Sequence, residues 1–407
     1  MNVLQVNNFF YLRGGDSRYM FDLSNLLEKN GHSVSFFSMR HEKNISYEHE
    51  NLFINNIDYA EINRNKNVLN AIKVIKTSYW NTSAQRNVSE LLKLCKPDIA
   101  HLHSILHHIT PSIIRTLKQS KVPIIMHLHD FNLLCPNIYL FRDHKICEEC
   151  FHNKFYNCIR HRCKKKSLSA SIIAATQRYF HNAIDILDDV DVFITPSKLA
   201  KEKFERAGFK YTDRIKIIPH FTSTVKCGNY VPNSNGVVYV GRFIEEKGIK
   251  LILAVAKELK DISFCLIGDG LLLPYILNFI EENHLNNIQI VGWLNKEDLI
   301  NAMCNYSCLV MPSIWYETSG LSVLEAGTIG IPVIVPDNTA MTELISSEVG
   351  IIFKMGDENS LKEAIQKITG DLILQKQLSA SLKNKILKEY NPEQHYLKIM
   401  EIYNSVL

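Results

Sequence analysis

Along nearly the whole 407-residue chain, short apolar runs bounded by glycine, proline or polar residues alternate with amphipathic stretches. VLQV precedes a helical pattern from Asp16 to Lys29, IAHLH precedes one from Pro111 to Gln119, and VPIIMHLH and VDVFIT lead to another from Lys198 to Ala207. The second half does the same with VVYVG, Gly248 to Leu259, SFCLIG, a helix ending at Glu282, IQIVG, CLVM, a helix from Gly320, IPVIV and GIIF. β-branched runs without polar alternation fit strands buried on both faces, and their alternation with helices predicts parallel sheets. A chain of this length is too long for one core. The expectation is α/β: two doubly wound, Rossmann-like domains facing a cleft, residues 1–222 and 223–390, followed by a last helix over 391–407. The breaker-rich stretch PHFTSTVKCGNYVPNSNG, residues 219–236, is the expected hinge.

Charge divides the halves. Residues 1–222 hold 31 Lys+Arg against 21 Asp+Glu, a net of +10, which leaves −6 for the remainder. The first half is thus the one drawn to an anionic surface such as a phospholipid leaflet. Nucleic acid is not expected, because the basic residues are scattered and no aromatic-basic motif accompanies them. No apolar run approaches the roughly 18 residues of a membrane span, and MNVLQVNNFF runs directly into a strand pattern, so the expected address is cytoplasmic.

In open parallel sheets, ligands bind beyond the carboxyl ends of the strands. Gly14 and Gly15 follow the first such strand and open a helix, with Asp16 or Ser17 as its cap. A glycine turn there lets backbone approach a ligand, and the helix N-terminus offers unpaired N–H groups to an anion; a plain tight loop is the competing reading. Neither this turn nor Gly268-Asp269-Gly270 completes GxGxxG, which disfavours a nicotinamide dehydrogenase. VVYVGRFIEEKGI puts Arg242 at a strand end and Lys247 before the next helix. Such cations suit a diphosphate; a solvated pair balancing Glu245 and Glu246 is the alternative. SIWYETSGLSVLEAG holds Glu317 and Glu325 eight residues apart. With Pro312 upstream the helix is expected to start near Gly320, which leaves Glu317 in the loop, Gly320 and Leu321 as an N–H cradle, and Glu325 a turn inside. Carboxylate, cradle and carboxylate match the order sugar, diphosphate, ribose.

At these residues, and over nearly its whole length, the chain resembles the retaining glycosyltransferases of family 4, which have the GT-B fold. The spacing Glu317-x7-Glu325 is the most specific element, supported by Gly14-Gly15, the GR…EKG loop, the IGDG turn and the His-Asp turn after HLHDF. The resemblance implies that Arg242, Lys247 and the backbone of Gly320 and Leu321 bind the donor diphosphate. It also implies that Glu325 holds the ribose, that Glu317 holds the transferred sugar and that His129 lies against that sugar. The helix after Asn391-Pro392 would pack back on the first domain. Ser319 departs from the aromatic residue often found there, so sugar identity does not transfer.

Rival chemistries have weaker support. Asp189-Val190-Asp191 spells the DxD of metal-dependent transferases but reads as a charged strand entrance. A glycoside hydrolase would use two carboxylates but has no need of a phosphate cradle, and a sugar-nucleotide binder without turnover is the other alternative. His101, His103, His107, His108 and His127 stay unassigned; a zinc cluster among them is conceivable, and local hydrogen bonding is the more common use. Cys147, Cys150, Cys158 and Cys163, spaced C-x2-C-x7-C-x4-C within an insertion at 142–166, suit a closed structural zinc site, with free thiols as the rival. Arg160, Arg162, Lys164, Lys165 and Lys166 precede an amphipathic helix that could seat the protein on the inner face of an anionic membrane, with a solvated surface turn before an ordinary core-facing helix as the rival reading. The resulting expectation is a retaining hexosyltransferase needing no cofactor for catalysis. It would move a hexose or N-acetylhexosamine from a nucleotide sugar to a saccharide or lipid-linked saccharide, in cell-surface polysaccharide assembly.

Overall fold

The structure, a computed structural model, describes residues 1–56, 68–223, 230–232 and 236–407. Half of the expected hinge, residues 224–229 and 233–235, lies outside the described residues.

The first sheet holds β1 (Asn2–Val6), β2 (Ser33–Phe37), β3 (Ile99–Leu102), β4 (Ile124–His127), β7 (Val192–Thr195) and β8 (Ile215–Ile217), in the order β2-β1-β3-β4-β7-β8. A two-stranded hairpin, β5 (Phe141–Arg142) and β6 (Lys145–Ile146), stands apart from it. The second sheet holds β9 (Val237–Val240), β10 (Phe264–Ile267), β11 (Ile288–Val291), β12 (Cys308–Val310), β13 (Val333–Pro336) and β14 (Ile351–Phe353), in the order β11-β10-β9-β12-β13-β14. Every pairing within the two large sheets is parallel. Strand order reverses beside β1 and beside β9, and such reversals open a crevice at the carboxyl ends of the strands.

The continuous apolar runs are explained by burial on both faces. In β9, Val238 and Val240 join one apolar cluster, and Val237 and Tyr239 join the cluster on the opposite face. Burying one such side chain is worth about 1.5–3 kcal/mol, so a polar residue at any of these positions would be costly. The helix Pro392–Val406, capped by the side chain of Asn391, packs on the first domain. Its Ile399, Ile402 and Tyr403 share a cluster with Val3, Tyr19 and Leu23.

The two domains touch through polar contacts around the cleft. Glu343 of the second domain accepts from the backbone N–H groups of Lys198 (2.9 Å) and Leu199 (2.8 Å), at the start of the first-domain helix Lys198–Arg206. A carboxylate at that positive pole is favourable by about 0.3–1 kcal/mol when exposed and more when partly buried. Glu148 accepts from Lys203 (3.0 Å), Arg206 (2.8 Å) and, across the cleft, the hydroxyl of Tyr316 (2.9 Å).

Candidate active site

The loop that carries Lys247 is fixed by the backbone. Gly248 has φ +72°, and a Cβ there would lie 1.8 Å from the carbonyl oxygen of Pro312, so only glycine lets this turn close on the neighbouring strand end. Ile314 N–H donates to Glu246 O at 3.0 Å, which ties the EKG turn to the loop leading to Glu317. The two motifs, 70 residues apart, therefore meet. Lys247 Nζ lies 2.6 Å from Glu317 Oε1, which also accepts from Ser313 Oγ (2.7 Å) and Trp315 Nε1 (2.8 Å). Glu317 is 6% exposed, and three donors on one oxygen fix its carboxylate. Arg242, at the end of β9, is exposed.

The helix Leu321–Ile329 begins just after Gly320, as the glycine and the preceding loop predict. Across the cleft stands the first helix, Gly15–Lys29, capped by Gly14; neither Asp16 nor Ser17 is the cap itself. Ser17 instead accepts from Gly14 N–H at 3.2 Å and donates to its carbonyl. A Cβ on Gly15 would stand 3.4 Å from Leu321 Cδ1, so the two glycine-led helix starts face each other directly. Both present a positive pole to the space between them, a setting for an anion.

Glu325 lies a turn inside, 3% exposed. It pairs with Arg18 of the first helix, a cross-cleft partner that the sequence reading missed. Burial raises the Glu325 carboxyl pKa, while Arg18 and Lys296 draw it down. The position of Arg18, one turn into the helix that Gly14 opens, was the available signal.

His129 follows β4, and its carbonyl accepts from Thr318 Oγ1 at 2.8 Å across the cleft. Its ring is turned into the first domain. It stacks on His127, with centroids 4.1 Å apart and planes 8° off parallel, and Nε2 shares a 2.9 Å hydrogen bond with His103 Nδ1. The structure thus brings together Gly14, Gly15, Lys247, Glu317, Gly320, Leu321 and Glu325, with the backbone of His129 beside them.

A fifth thiol, Cys135, joins the cysteines of the insertion. Cys158 is hydrogen-bonded to Cys163, but Cys150 pairs with Cys135, which lies outside the expected set. Cys150 and Cys158 are buried with Phe155 and Ala175. Among the described residues no three thiols lie within 4.8 Å of one another. Asp191 of the DxD sequence accepts from Ile124 N–H at 2.7 Å, and Asp188 is held by Lys210 and Tyr211, so this triplet sits at a strand entrance. Lys164 of the basic cluster is turned inward onto the carbonyl of Pro136, at 3.3 Å, while Arg160, Arg162, Lys165 and Lys166 are exposed.

Two facing parallel-sheet domains, with opposed helix starts and a lysine–glutamate pair in the cleft, define the GT-B class. Residues 13–226 match the family description Glycosyltransferase Family 4, and residues 229–385 match Glycosyl transferases group 1. The chain belongs to glycosyltransferase family 4. It is 24% identical to an uncharacterized 42.6 kDa protein in the cps region of Klebsiella pneumoniae, over 84% of this chain and 87% of that one. It is 28% identical over 170 residues to an uncharacterized glycosyltransferase of Methanocaldococcus jannaschii, a match covering 42% of this chain and 48% of that one. It is also 26% identical to the capsular polysaccharide biosynthesis glycosyltransferase CapM of Staphylococcus aureus, over 43% of this chain and 47% of that one. The chain thus spans about half the length of these last two relatives. In fold it resembles sucrose-phosphate synthase from Thermosynechococcus elongatus (TM-score 0.72, 17% identity, 99% of this chain and 98% of that one). It also resembles Anabaena HepE in complex with UDP-glucose (TM-score 0.65, 15% identity, 100% of both chains).

Proposed function

We propose that the protein transfers a hexose or N-acetylhexosamine, with retention of anomeric configuration, from a nucleoside diphosphate sugar to a saccharide or lipid-linked saccharide. The observation that carries this is the Lys247–Glu317 pair at the mouth of the helix Leu321–Ile329, opposite the Gly14-Gly15 turn. Cleaving the bond from the sugar to the diphosphate builds positive charge on the ring and negative charge on the leaving phosphate. Fixed cations and amide dipoles stabilise the second without reorganising. Arg242, Lys247 and the N–H groups of Gly320 and Leu321 take that role and call for no metal on the diphosphate. Glu317 accepts from a sugar hydroxyl, sharing its oxygens with Lys247, and Glu325 exchanges Arg18 for the ribose hydroxyls. The acceptor hydroxyl attacks the anomeric carbon on the face the phosphate leaves, and the departing phosphate oxygen takes its proton. The names of CapM and of the Klebsiella relative favour cell-surface polysaccharide as the product.

Calorimetric titration with UDP-, GDP- and ADP-sugars, followed by a nucleotide-release assay, tests this reading. One donor class is expected to bind and to be broken down in a Glu317-dependent way. Binding with release unchanged in Glu317→Ala would make the protein a sugar-nucleotide binder. Turnover of a free glycoside without nucleotide would make it a hydrolase.

A membrane seat for a lipid-linked acceptor is supported by exposed Arg160, Arg162, Lys165 and Lys166 beside exposed Leu168, Ile172 and Tyr179 on the helix Leu168–Ala183. Each basic side chain near an anionic surface is worth about 1 kcal/mol. Co-sedimentation with phosphatidylglycerol vesicles is therefore expected to fall by more than about tenfold when all four are changed to glutamine. Equal sedimentation of the two proteins would rule the seat out.

A further inference from the structure

The cleft holds an ion pair that a bound donor has to break. Arg18 stands one turn into the first helix, and its Nη2 meets Oε1 of Glu325, on the second turn of the facing helix Leu321–Ile329. The Arg18 side chain is 26% exposed and that of Glu325 4%, so the guanidinium is the partner a ligand can reach. Charges of both signs come from both domains. Asp22 lies four residues after Arg18, on the same helix face. Lys296, first residue of the second-domain helix Lys296–Met303, draws down the pKa of Asp22 and of Glu325, as Arg18 does, against the upward push of burial. Two cations and two carboxylates, one of each from each domain, therefore balance.

A nucleotide donor upsets that balance in a defined way; the inference rests on the donor reading above. Ribose hydroxyls can replace Arg18 on Glu325 as hydrogen-bond donors, but they are neutral. Glu325 still has Lys296 as a neighbouring cation. The displaced guanidinium needs a new anion, because a partly buried charge left without its partner is costly. The anion that arrives joined to the ribose is the diphosphate. Leu321 precedes Glu325 by four residues, so the helix start lies about 6 Å from the carboxylate along the axis. Rotation of a long arginine side chain covers such a distance, and the backbone of Gly15 already faces Leu321, with a would-be Cβ 3.4 Å from its Cδ1. The flat guanidinium fork suits phosphate as well as carboxylate.

We propose that Arg18 is a ligand for the donor diphosphate contributed by the first domain, parked on Glu325 in the free protein and passed to the phosphates when ribose takes the carboxylate. Arg242 and Lys247 hold the diphosphate from the second domain, and Arg18 is the matching cation from the other side. The exchange makes the cleft selective for ribose and diphosphate together. A nucleoside alone displaces Arg18 and offers it nothing in return, whereas a nucleoside diphosphate replaces both halves of the pair.

The test is calorimetric titration of the full chain with UDP, GDP and ADP, with the nucleoside of whichever base binds, and with inorganic pyrophosphate. In Arg18→Gln the nucleoside diphosphate is expected to bind about 10- to 100-fold more weakly, the range of a hydrogen bond to a charged group. The nucleoside is expected to bind more tightly than to wild type, since its competitor for Glu325 is gone. Glu325→Gln should show the mirror image, with weaker nucleoside and tighter pyrophosphate binding. Arg18→Lys is expected to regain part of the diphosphate affinity. Should these variants misfold, wild type decides: saturating pyrophosphate is expected to tighten nucleoside binding about five- to tenfold, and the nucleoside to tighten pyrophosphate by the same factor. Equal losses of nucleoside and nucleoside diphosphate in folded Arg18→Gln, or independent binding of the two halves by wild type, would overturn the role of Arg18 alone. Failure of folded wild type to bind any nucleoside diphosphate would overturn it together with the donor reading.

Discussion

Lys247→Ala is expected to lower the turnover of the nucleotide-sugar donor by about 10²–10³-fold, the range seen when one fixed donor to a developing oxyanion is removed, or about 2.7–4 kcal/mol. The geometry makes this a loss of charge stabilisation more than a loss of fold. Lys247 is anchored by a glycine turn that needs none of its side chain, and Glu317 keeps the Ser313 and Trp315 donors after the substitution. The deficit is therefore expected in kcat as well as in kcat/KM, because the interaction strengthens as the phosphate leaves. Lys247→Arg restores a charge but not the compact ammonium that fits between carboxylate and phosphate, so only partial recovery is expected. Initial-rate measurements across donor concentration decide it. A Lys247→Ala enzyme within threefold of wild type, with an unchanged melting temperature, would remove Lys247 from the reaction.

The second large effect is on stability and runs with pH. Burial pushes His101 and His395 down to about 3 and His181 down to about 4. His101 bonds to Tyr403 (2.8 Å), His395 to Tyr19 (3.0 Å) and to the carbonyl of Pro219 (3.0 Å), and His181 to the carbonyl of Tyr79 (2.9 Å). The unfolded chain takes up these protons near pH 6.5 and the folded chain only far lower. Their contribution is therefore complete above pH 6.5 and is lost as pH falls toward 3–4. Between pH 7 and 5.5 each costs about 1.3 kcal/mol, about 4 together. Asp130, raised to about 6 by burial, works the other way: its contribution is present at low pH and is lost as pH rises through 6, which offsets about 0.8 kcal/mol over the same interval. For these four groups the balance is a loss of about 3 kcal/mol, a large share of the 5–15 kcal/mol typical of a folded protein. Urea unfolding followed by circular dichroism at pH 7 and 5.5 measures it; equal midpoints would contradict it. His101 and His395 hold the helix Pro392–Val406 to the first domain, so that helix is expected to come loose first on acidification.

Much of this was written into the chain in a form that reads one residue at a time. Runs such as VVYV and FCLI are buried on both faces, so their apolar continuity survives as a local signal, and Gly320 and Gly248 mark a helix start and a turn that their neighbours alone predict. Where burial is one-sided the signal fades. SVSFF and IKI, the edge strands β2 and β8, alternate with exposed or half-buried residues and went unread. The hairpin of β5 and β6 turns through Asp143 and His144, both at positive φ, a choice no apolar pattern announces. Arg18, Glu148 and Glu343 are ordinary charged residues in their own segments, distinguished only by what stands across the cleft.

The sequence by itself determined the order of elements, the two parallel sheets and the carboxylate-glycine-carboxylate stretch, because hydrophobic period and glycine conformation act within a few residues. Only the tertiary structure decided that Lys247 meets Glu317, that Arg18 closes on Glu325, that Cys150 turns to Cys135, and that His127, His129 and His220 converge from two strand ends. Those outcomes depend on the directions in which side chains leave separate elements. Packing of whole sheets and helices fixes these directions, and no local pattern encodes them.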